Sequence, residues 1–365
     1  MSTDFKLYVE QSVAAQTAFA GLDQAARDRE TDRSIASLPG SFGRKEVKGS
    51  VYWYYQTKDP DGKPRQIYLG PDNPYIHALM EKRSGSLAKE SSAQLSRLTS
   101  SSAALGCATI SAKHGRVIKR MADYGFFAAG GVLAGTHAFI AYQNHLGAKW
   151  RDALMTMDRD FAHPGNNVSL AIQGQIDIDV PSAIESLEMG FLPIHGQARF
   201  KKSDEPDFDV DLLTVATRAG DKPIHVASLG VTLQPLKFME LAFERPVQTT
   251  LLTPTTPIVV TVPNPAYFAF HKMIVSVERR ASMPVKATKD SIQAAALLDH
   301  FLDHNPIAIA DAYLDTLSRG PGWRRRVDQG LTMITKTHPH LEIASRLQDA
   351  VDDEDHAPGN VERPK

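Results

Sequence analysis

The sequence predicts an α+β fold in which a strand-rich core precedes a helical lobe. Strand-like runs recur between residues 126 and 262, and helical spacing of apolar residues takes over beyond Pro263. A chain of 365 residues, with 42% of them in the AVILMFWYC set, is long enough for two or three domains with a sizeable core and a cleft. The N-terminal third differs from both parts, and we expect it to be an accessory region.

Residues 1–118 are predicted to combine helices with a β-hairpin. Apolar residues at helical spacing cover 7–38, where we expect one or two helices. Aromatic and β-branched runs around an Asp-Pro-Asp-Gly turn predict a hairpin at about 51–69, whose aromatic residues either pack on a neighbouring helix or read nucleic acid. Asn73, with a proline after it, favours a helix start, and we expect that helix to continue to about Met121 with a weak point at 99–102.

The core is assigned to 119–262, the helical lobe to 263–351 and a disordered acidic tail to 352–365. In the core, a Gly-rich strand at 126–135 precedes a helix at 136–146. The other predicted core strands lie at 154–162, 168–178, 198–201, 208–215 and 258–262. The predicted helices of the lobe lie at 267–281, 289–303, 306–317, 323–334 and 340–351. The tail is acidic, has two prolines and almost no apolar residues, which is typical of disorder.

The charge balance and the cysteine content exclude several kinds of protein. Lys and Arg total 41 against 42 Asp and Glu, a formal net charge of -1, so any contact with nucleic acid or lipid must be local. Cys107 is the single cysteine, which excludes an internal disulfide framework and a Cys-rich zinc module. The first residues lack the apolar run of a secretory signal, and the most apolar stretch, 126–142, is too short and Gly-rich to span a membrane. We therefore expect a cytoplasmic protein without membrane contact.

Three aspartates form the strongest candidate for a chemical site. Asp158 and Asp160 alternate on a predicted strand, so both carboxylates project from one face. Such a pair is costly unless a cation neutralises it, and Mg²⁺ does so by taking carboxylate oxygens as ligands. A second alternating strand carries Asp211 deepest in its apolar run, which makes Asp211 the candidate third ligand.

A glycine-rich turn precedes these aspartates in the sequence. Gly135 and Thr136 stand where the apolar strand gives way to the helix, so backbone N–H groups and a hydroxyl are presented to a phosphate at the positive end of that helix. Two Mg²⁺ ions about 3.5–4 Å apart would clamp a triphosphate and steady a leaving pyrophosphate. We therefore expect Asp158, Asp160 and Asp211 to converge, with the turn facing them.

These residues belong to an ordered series that resembles a known family. The segments that carry the resemblance are 130–139, 142–144, 156–162 and 210–214. They are similar to those of bacterial nucleotidyltransferase-fold proteins of the polymerase-beta-like superfamily, in which a Gly-Ser or Gly-Gly turn precedes Asp-x-Asp and a third Asp on a later strand. The resemblance covers roughly residues 110–305.

The resemblance implies a mixed central sheet and Mg²⁺-dependent transfer of an NMP from an NTP, with ATP preferred, to an RNA, protein or small-molecule acceptor. Asp158, Asp160 and Asp211 would be the catalytic residues and hold two Mg²⁺ ions, which Mn²⁺ could replace. Gly135 and Thr136 would bind the nucleotide. A toxin-like or defence-associated role is a further implication.

Cations of the helical lobe are the candidate phosphate contacts. Lys272, Arg280 and Lys289 lie in a segment that looks like the one following the catalytic core in this group. Together with Arg279 and Lys286 they would form an electropositive wall for a triphosphate. The alternative is that they are ordinary solvated residues on amphipathic helices.

Two positions depart from the family pattern and open a second hypothesis. Thr136 replaces the usual Ser or Gly, which is a mild change, but Arg159 stands between two aspartates where an aliphatic residue is usual. An arginine there could disable two-metal chemistry. The alternative function is a catalytically degenerate nucleotidyltransferase scaffold that acts as an RNA- or partner-binding regulatory protein.

Three further features favour structural roles. Asp207 and Asp209 follow a Glu-Pro loop and are expected at a solvated edge. His300 and His304 have the i, i+4 spacing of a zinc pair but lack an accompanying Glu and a third ligand, so we expect a surface pair. The segment 323–326, Trp-Arg-Arg-Arg, is expected to be a cationic helix opening rather than an RNA-binding segment.

Overall fold

The structure is a computed structural model. It describes residues 6–31, 40–47, 49–58, 64–84, 86–151, 168–172, 179–194, 198–202, 204–205, 208–216, 220, 222–226, 229–279 and 283–355.

The chain begins with a short strand where the sequence predicts a helix. Strand β1, Tyr8–Glu10, pairs antiparallel with strand β6, Ala148–Trp150, and only then does helix α1, Val13–Thr31, begin. Pairing with a distant strand overrides the local helical spacing, because it buries Tyr8 in the main core. The N-terminus is therefore attached to the core.

A three-stranded antiparallel sheet follows α1. It consists of β2, Ser41–Val47, β3, Ser50–Lys58, and β4, Pro64–Pro71, in the order β2-β3-β4. The predicted hairpin is confirmed as β3 and β4, whereas β2 was not expected from the sequence, and the turn residues 59–63 lie outside the described residues. Tyr55 on β3 is fully buried, so part of the aromatic strand packs inward.

The long helix expected after Asn73 is divided into three. Helices α2, Pro74–Ser84, α3, Ser86–Ala104, and α4, Ala112–Asp123, replace it. Asn73 caps α2 as predicted, since its Oδ1 accepts a hydrogen bond of 3.0 Å from the backbone N–H of Ile76. The predicted weak point at 99–102 is wrong: it lies inside α3, where the Thr99 hydroxyl donates to the Leu95 carbonyl.

A mixed sheet forms the centre of the molecule. Its strands among the described residues are β5, Val132–Ala134, β7, Val168–Ala171, β8, Phe191–Pro193, β9, Arg199–Lys202, β10, Asp209–Val215, β11, Ile224–Val226, and β12, Val231–Leu236. The order is β11-β12-β10-β7-β5, and β8 continues from β9, which pairs with β10. Strand β10 is parallel to β7 and β12 but antiparallel to β9, which makes the sheet mixed as expected.

Further elements complete the core around this sheet. They are α5, Gly135–His145, the short α6, Val180–Glu185, and an antiparallel hairpin of β13, Val247–Leu252, and β14, Pro257–Val262. The sequence predicts α5 and β14 but not α6 or β13. Leu251 of β13 and Val260 of β14 are buried in the same core as Phe139 of α5.

The helical lobe is present where the sequence predicts it. Its helices are α7, Pro265–Glu278, α8, Pro284–His304, α9, Pro306–Ser318, α10, Pro321–Thr337, and α11, Ile343–Asp355. The first four begin with proline, which has no N–H to leave unpaired in the first turn of a helix. Helix α11 continues four residues into the expected tail, because Ala350 and Val351 near its end pack against Ala310 of α9. Residues 356–365 lie outside the described residues.

One histidine of the lobe is buried against the expectation from sequence. The His300 ring lies edge-on to Tyr8 and Trp150, at centroid distances of 4.9 and 6.4 Å. Strands β1 and β6 thus cover a helix face that sequence spacing alone leaves exposed. His304 is partly exposed, and its Nε2 lies 3.0 Å from the Tyr8 hydroxyl.

None of the helices in the described ranges combines the length and the apolar character that crossing a membrane demands.

A pair of histidines, of which His137 is buried and His114 partly buried, joins α4 to α5. His114 Nδ1 and His137 Nε2 are 3.0 Å apart. Burial lowers the pKa of His137 to about 3, and the neighbouring His114 and Lys289 contribute. Burial also lowers the pKa of His114 to about 4, with a contribution from Lys113 that nearby Glu205 opposes. Both rings are therefore neutral in the folded protein at pH 7.

This pair predicts loss of stability in acid. Because the folded pKa values lie below the ordinary 6.5, the unfolded chain takes up protons first, so the free energy of unfolding should fall as the pH drops from 6.5 towards 4. The slope contributed by each histidine approaches about 1.4 kcal/mol per pH unit. Urea unfolding of His137→Leu at several pH values should give a shallower slope than the wild type. His225→Leu, at an exposed position, is the control, and equal slopes for all three proteins would contradict the interpretation.

Candidate active site

A cleft of about 770 Å³ lies between the mixed sheet and the first two helices of the lobe. The sheet side includes Ser169, Arg199 and Asp211, together with the turn that joins β5 to α5. The helical side is formed by α7 and α8 and carries Lys272 and Lys289. The cleft thus brings together residues from separate parts of the sequence.

Asp211 belongs to a row of residues that crosses four strands. Ala134 of β5 pairs with Ser169 of β7, Ser169 pairs with Asp211 of β10, and Asp211 pairs with Arg199 of β9. Paired residues on adjacent strands project from the same face of a sheet. Ser169, Asp211 and Arg199 therefore face the same side as Ala134, the last residue before the turn.

The turn at the start of α5 lies where the sequence predicts it, but the strand before it is only β5 and not 126–135, because 124–130 form turns. Strand β5 ends at Ala134, and α5 begins at Gly135 with a φ of +68°, a conformation that glycine adopts without strain. A Cβ at this position would stand 3.2 Å from the Ser169 hydroxyl oxygen. No side chain caps the helix at Ala134, so its first N–H groups are available on the cleft side.

Arg199 holds two carboxylates of β10. Its Nε donates to Asp211 Oδ1 at 2.6 Å, and its Nη1 lies 3.0 Å from Asp209 Oδ2. The expectation of a solvated edge is wrong for Asp209, which is 5% exposed, because β9 pairs with this end of β10 and covers it. Asp207 lies outside the described residues. Phe208, before Asp209, is buried in the core.

A lysine from α8 contacts the turn directly. Lys289 is buried, and its Nζ donates a hydrogen bond of 3.0 Å to the Thr136 hydroxyl. This contact joins two of the residues predicted to bind nucleotide, which are 153 positions apart in the chain. It also places an ammonium group beside the N-terminus of α5.

A buried ion cluster supports the helical wall of the cleft. Lys272 Nζ donates to Asp290 Oδ1 at 2.7 Å, and Arg279 donates to Asp290 Oδ2 through Nε and Nη2 at 2.9 and 2.7 Å. Burial alone would raise the pKa of the Asp290 carboxyl, but these two cations hold it below its usual value. Asp290 is thus a permanent anion that keeps Lys272 and Arg279 on the cleft wall.

Cationic side chains outnumber anionic ones on the described lining of the cleft. The cations are Arg199, Lys237, Lys272, Arg279, Lys286 and Lys289, and the anions are Asp211, Glu278 and Asp290. Such an excess attracts a polyanion into a partly desolvated site. His271 also lines the cleft, but it is not a cation at pH 7. Burial, together with Lys272 beside it, lowers the pKa of its ring to about 4.

Several lining residues were not predicted from sequence. Arg199 and Ser169 lie on predicted strands but enter the site only through cross-strand pairing, which the sequence does not reveal. Phe238 also lines the cleft, with a left-handed φ of +63°, and its carbonyl accepts from His271 Nδ1 at 3.0 Å. A strained aromatic residue beside a cavity is the kind of signal that only a structure provides.

Three of the predicted site residues cannot be placed. They are Asp158, Asp160 and Arg280, which lie outside the described residues. Arg159, between the two aspartates, lies outside them as well. Within the part of the chain that the structure describes, no three His, Cys, Asp or Glu side chains are grouped as a metal site would need. Asp211 is accordingly the predicted metal ligand whose position is known.

The other cationic segment of the lobe has structural partners. Arg326 Nε donates to Glu278 Oε1 at 2.6 Å, and the Arg319 guanidinium lies 5.5 Å from the Trp323 ring centroid. Position 321 begins α10, so the segment 323–326 opens a helix as expected.

Comparison with known proteins identifies the family. A family model described as nucleotidyltransferase matches residues 112–318, which is more than half of the chain and includes both the β5–α5 turn and the cationic helices of the cleft. No curated protein and no solved structure matches the sequence significantly. The chain belongs to this nucleotidyltransferase family.

Proposed function

We propose that this protein is a Mg²⁺-dependent nucleotidyltransferase of the polymerase-beta-like type that binds an NTP, preferably ATP, in the cleft and transfers its NMP to an acceptor. The observation that carries the proposal is the position of the turn at Gly135 and Thr136, which shares one cleft with Asp211, Lys272 and Lys289. Membership of the nucleotidyltransferase family supports the general reaction. The acceptor is an RNA, a protein or a small molecule.

The charge of the cleft supports a triphosphate as the ligand. Its described lining has an excess of ammonium and guanidinium groups, which match phosphate oxygens. Lys289 lies 3.0 Å from the Thr136 hydroxyl, so a phosphate at the N-terminus of α5 would meet both groups at once. The hydrogen bond to Asp290 fixes the position of the Lys272 ammonium group, which would neutralise a second phosphate.

The donor chemistry of the described site fits Mg²⁺ in one respect. Asp211 supplies a carboxylate on the cleft wall, and hard oxygen ligands of this kind are what Mg²⁺ prefers. We propose that Asp158 and Asp160 supply the remaining carboxylates. When bound, the metal ions would neutralise the triphosphate and lower the pKa of the attacking hydroxyl.

Each protein group of the cleft would then have a separate role in the transfer. The N-terminal N–H groups of α5, Thr136 and Lys289 would orient the triphosphate and stabilise negative charge on the leaving pyrophosphate. Asp211 would take up the proton of the acceptor hydroxyl at a carboxylate oxygen. Arg199, which donates to Asp211 Oδ1, would fix the direction of that carboxylate.

One contact favours a second candidate function. The guanidinium of Arg199 already neutralises Asp211 at 2.6 Å, a role that a metal ion would otherwise have. A scaffold in which Arg199 neutralises Asp211 and Arg159 disables two-metal chemistry would bind an RNA or a partner, and would bind Mg·ATP without turnover. Incubation with each labelled NTP, Mg²⁺ or Mn²⁺ and cell extract separates the two functions, since only an enzyme releases pyrophosphate and labels an acceptor.

The first prediction from this proposal concerns the turn. Gly135→Ala should weaken Mg·ATP binding by about tenfold or more, because a Cβ at a φ of +68° strains the turn and crowds Ser169 where the phosphate would lie. Gly125→Ala is the matched control, since Gly125 has a φ of +81° but no atoms within 4 Å of its added Cβ. Both variants should lose about 1–2 kcal/mol of stability, because a residue with a Cβ is strained in the left-handed conformation. Calorimetric titration should find weaker binding in Gly135→Ala alone, and equal affinities would contradict the assignment.

The second prediction separates the roles of the aspartates. Asp158→Asn or Asp160→Asn should abolish productive Mg·NTP binding, since each removes a charged ligand of a divalent ion. Asp211→Asn should leave binding closer to intact but reduce transfer by about 100-fold or more, because a proton acceptor acts mainly in the transition state. Calorimetry and pyrophosphate release measured on the same preparations would test this.

Two outcomes of that experiment decide between the candidate functions. Wild-type turnover in all three variants would refute the two-metal proposal. A wild-type protein that binds Mg·ATP without turnover for any acceptor pool would favour the scaffold. In that case Arg159→Ile, which restores the aliphatic residue usual in the family, is the variant to test for recovered activity.

A further inference from the structure

The accessory sheet presents three tyrosines on one face. Side chains alternate along a strand, so Tyr52 and Tyr54 of β3 share a face, and Tyr54 pairs with Tyr68 of β4. Lys45 of β2 pairs with Tyr52 and joins the same face. We call Lys45, Tyr52, Tyr54 and Tyr68 the tyrosine face.

The opposite face of this sheet is occupied by α2. Tyr55 is fully buried there, and Ile76 of α2 is also buried, with its Cδ1 3.9 Å from the position of a Cβ at Gly70. The Trp53 indole donates to the Asp72 carboxylate at 2.7 Å just before that helix. These contacts attach the hairpin to α2 without using the tyrosine face. Packing against α2 therefore accounts for the aromatic residue at Tyr55 but not for those at Tyr52, Tyr54 and Tyr68.

The rings of the tyrosine face are close together; Tyr52 and Tyr54 are partly buried, and Tyr68 is exposed. Tyr68 is 55% exposed, and its ring centroid lies 5.3 Å from that of Tyr54 and 6.2 Å from that of Tyr52. Lys45 Nζ stands 4.8 Å from the Tyr54 centroid and donates to the Gln66 side chain at 2.8 Å. The surface thus combines adjacent aromatic rings with a positioned cation.

We propose that the tyrosine face binds a single-stranded polynucleotide by stacking unpaired bases on its rings. Aromatic side chains on a sheet stack on bases of any type, and a neighbouring cation contacts the backbone phosphates. The inference rests on the accessory sheet alone and does not depend on nucleotidyl transfer in the cleft.

The charge of the segment favours this ligand. Residues 41–71 contain six Lys and Arg against three Asp and Glu, although the formal net charge of the whole chain is -1. A local positive charge attracts a polyanion, and the rings select one whose bases are unpaired, because a duplex keeps its bases stacked on each other.

Fluorescence anisotropy with the full chain tests the proposal. The probes are dye-labelled 12-nucleotide oligo(rU) and oligo(dT), with a 12-base-pair duplex for comparison, at 50 and 200 mM KCl. We expect a single strand to bind more tightly than the duplex, and the RNA and DNA arms report whether the 2′-hydroxyl contributes. The triple variant Tyr52→Ala, Tyr54→Ala, Tyr68→Ala should weaken single-strand binding about tenfold or more.

Two further variants keep the test decisive if the alanine variant folds poorly. Replacing the same tyrosines by Phe preserves stacking and should change affinity less than about threefold. Lys45→Gln should reduce the slope of log affinity against log salt by about one, the value for one lost phosphate contact.

The matched control is a tyrosine outside the face. Tyr75 lies on α2 and is 72% exposed, so Tyr75→Ala should leave binding unchanged. The proposal is overturned if the duplex binds as tightly as the single strands, if Tyr75→Ala weakens binding as much as the triple variant does, or if no probe binds at 50 mM KCl.

Discussion

The pairing of β10 on both flanks is the constraint on which the site depends. Its parallel pairing with β7 sets Asp211 beside Ser169, and its antiparallel pairing with β9 sets Asp211 beside Arg199. A slip of one residue would turn Asp211 to the opposite face, where Val210 and Leu212 are fully buried. The apolar core therefore fixes the register, and the register places the carboxylate on the side from which the β5–α5 turn opens.

The helical lobe contributes the opposite wall through a buried charge cluster. Asp290 is a buried anion, and Lys272 and Arg279 donate to it at hydrogen-bond distance. Removing either cation would leave a buried charge poorly compensated, which is costly, so the cluster holds these side chains in one arrangement. Lys289, one position before Asp290, contacts Thr136 of the turn and thereby ties this wall to the core. The side chains of this cleft wall are consequently held in place before any ligand binds.

Local sequence patterns correctly predicted the structural elements that depend only on neighbouring residues. Asn73 followed by proline predicted a capped helix, and the apolar strand before Gly135 predicted the turn and helix that the structure contains. The burial of His300 and Asp209 depends on strands β1 and β9, which come from distant parts of the chain, so spacing alone gave the wrong exposure. Arg199 was missed for the same reason, because its role follows from a cross-strand partner. The resemblance to the family predicted Gly135, Thr136 and Asp211 as site residues from the order of residue types along the chain, without any information on their positions in space.

The most direct test of the proposed site is the position of a bound nucleotide. A crystal structure of the protein with Mg²⁺ and a non-hydrolysable ATP analogue would show it. We expect the triphosphate between the turn at Gly135 and Lys289, with an Asp211 carboxylate oxygen about 2.0–2.1 Å from a metal ion. An analogue bound outside the cleft, or one bound there with no metal ion beside Asp211, would contradict the proposed site.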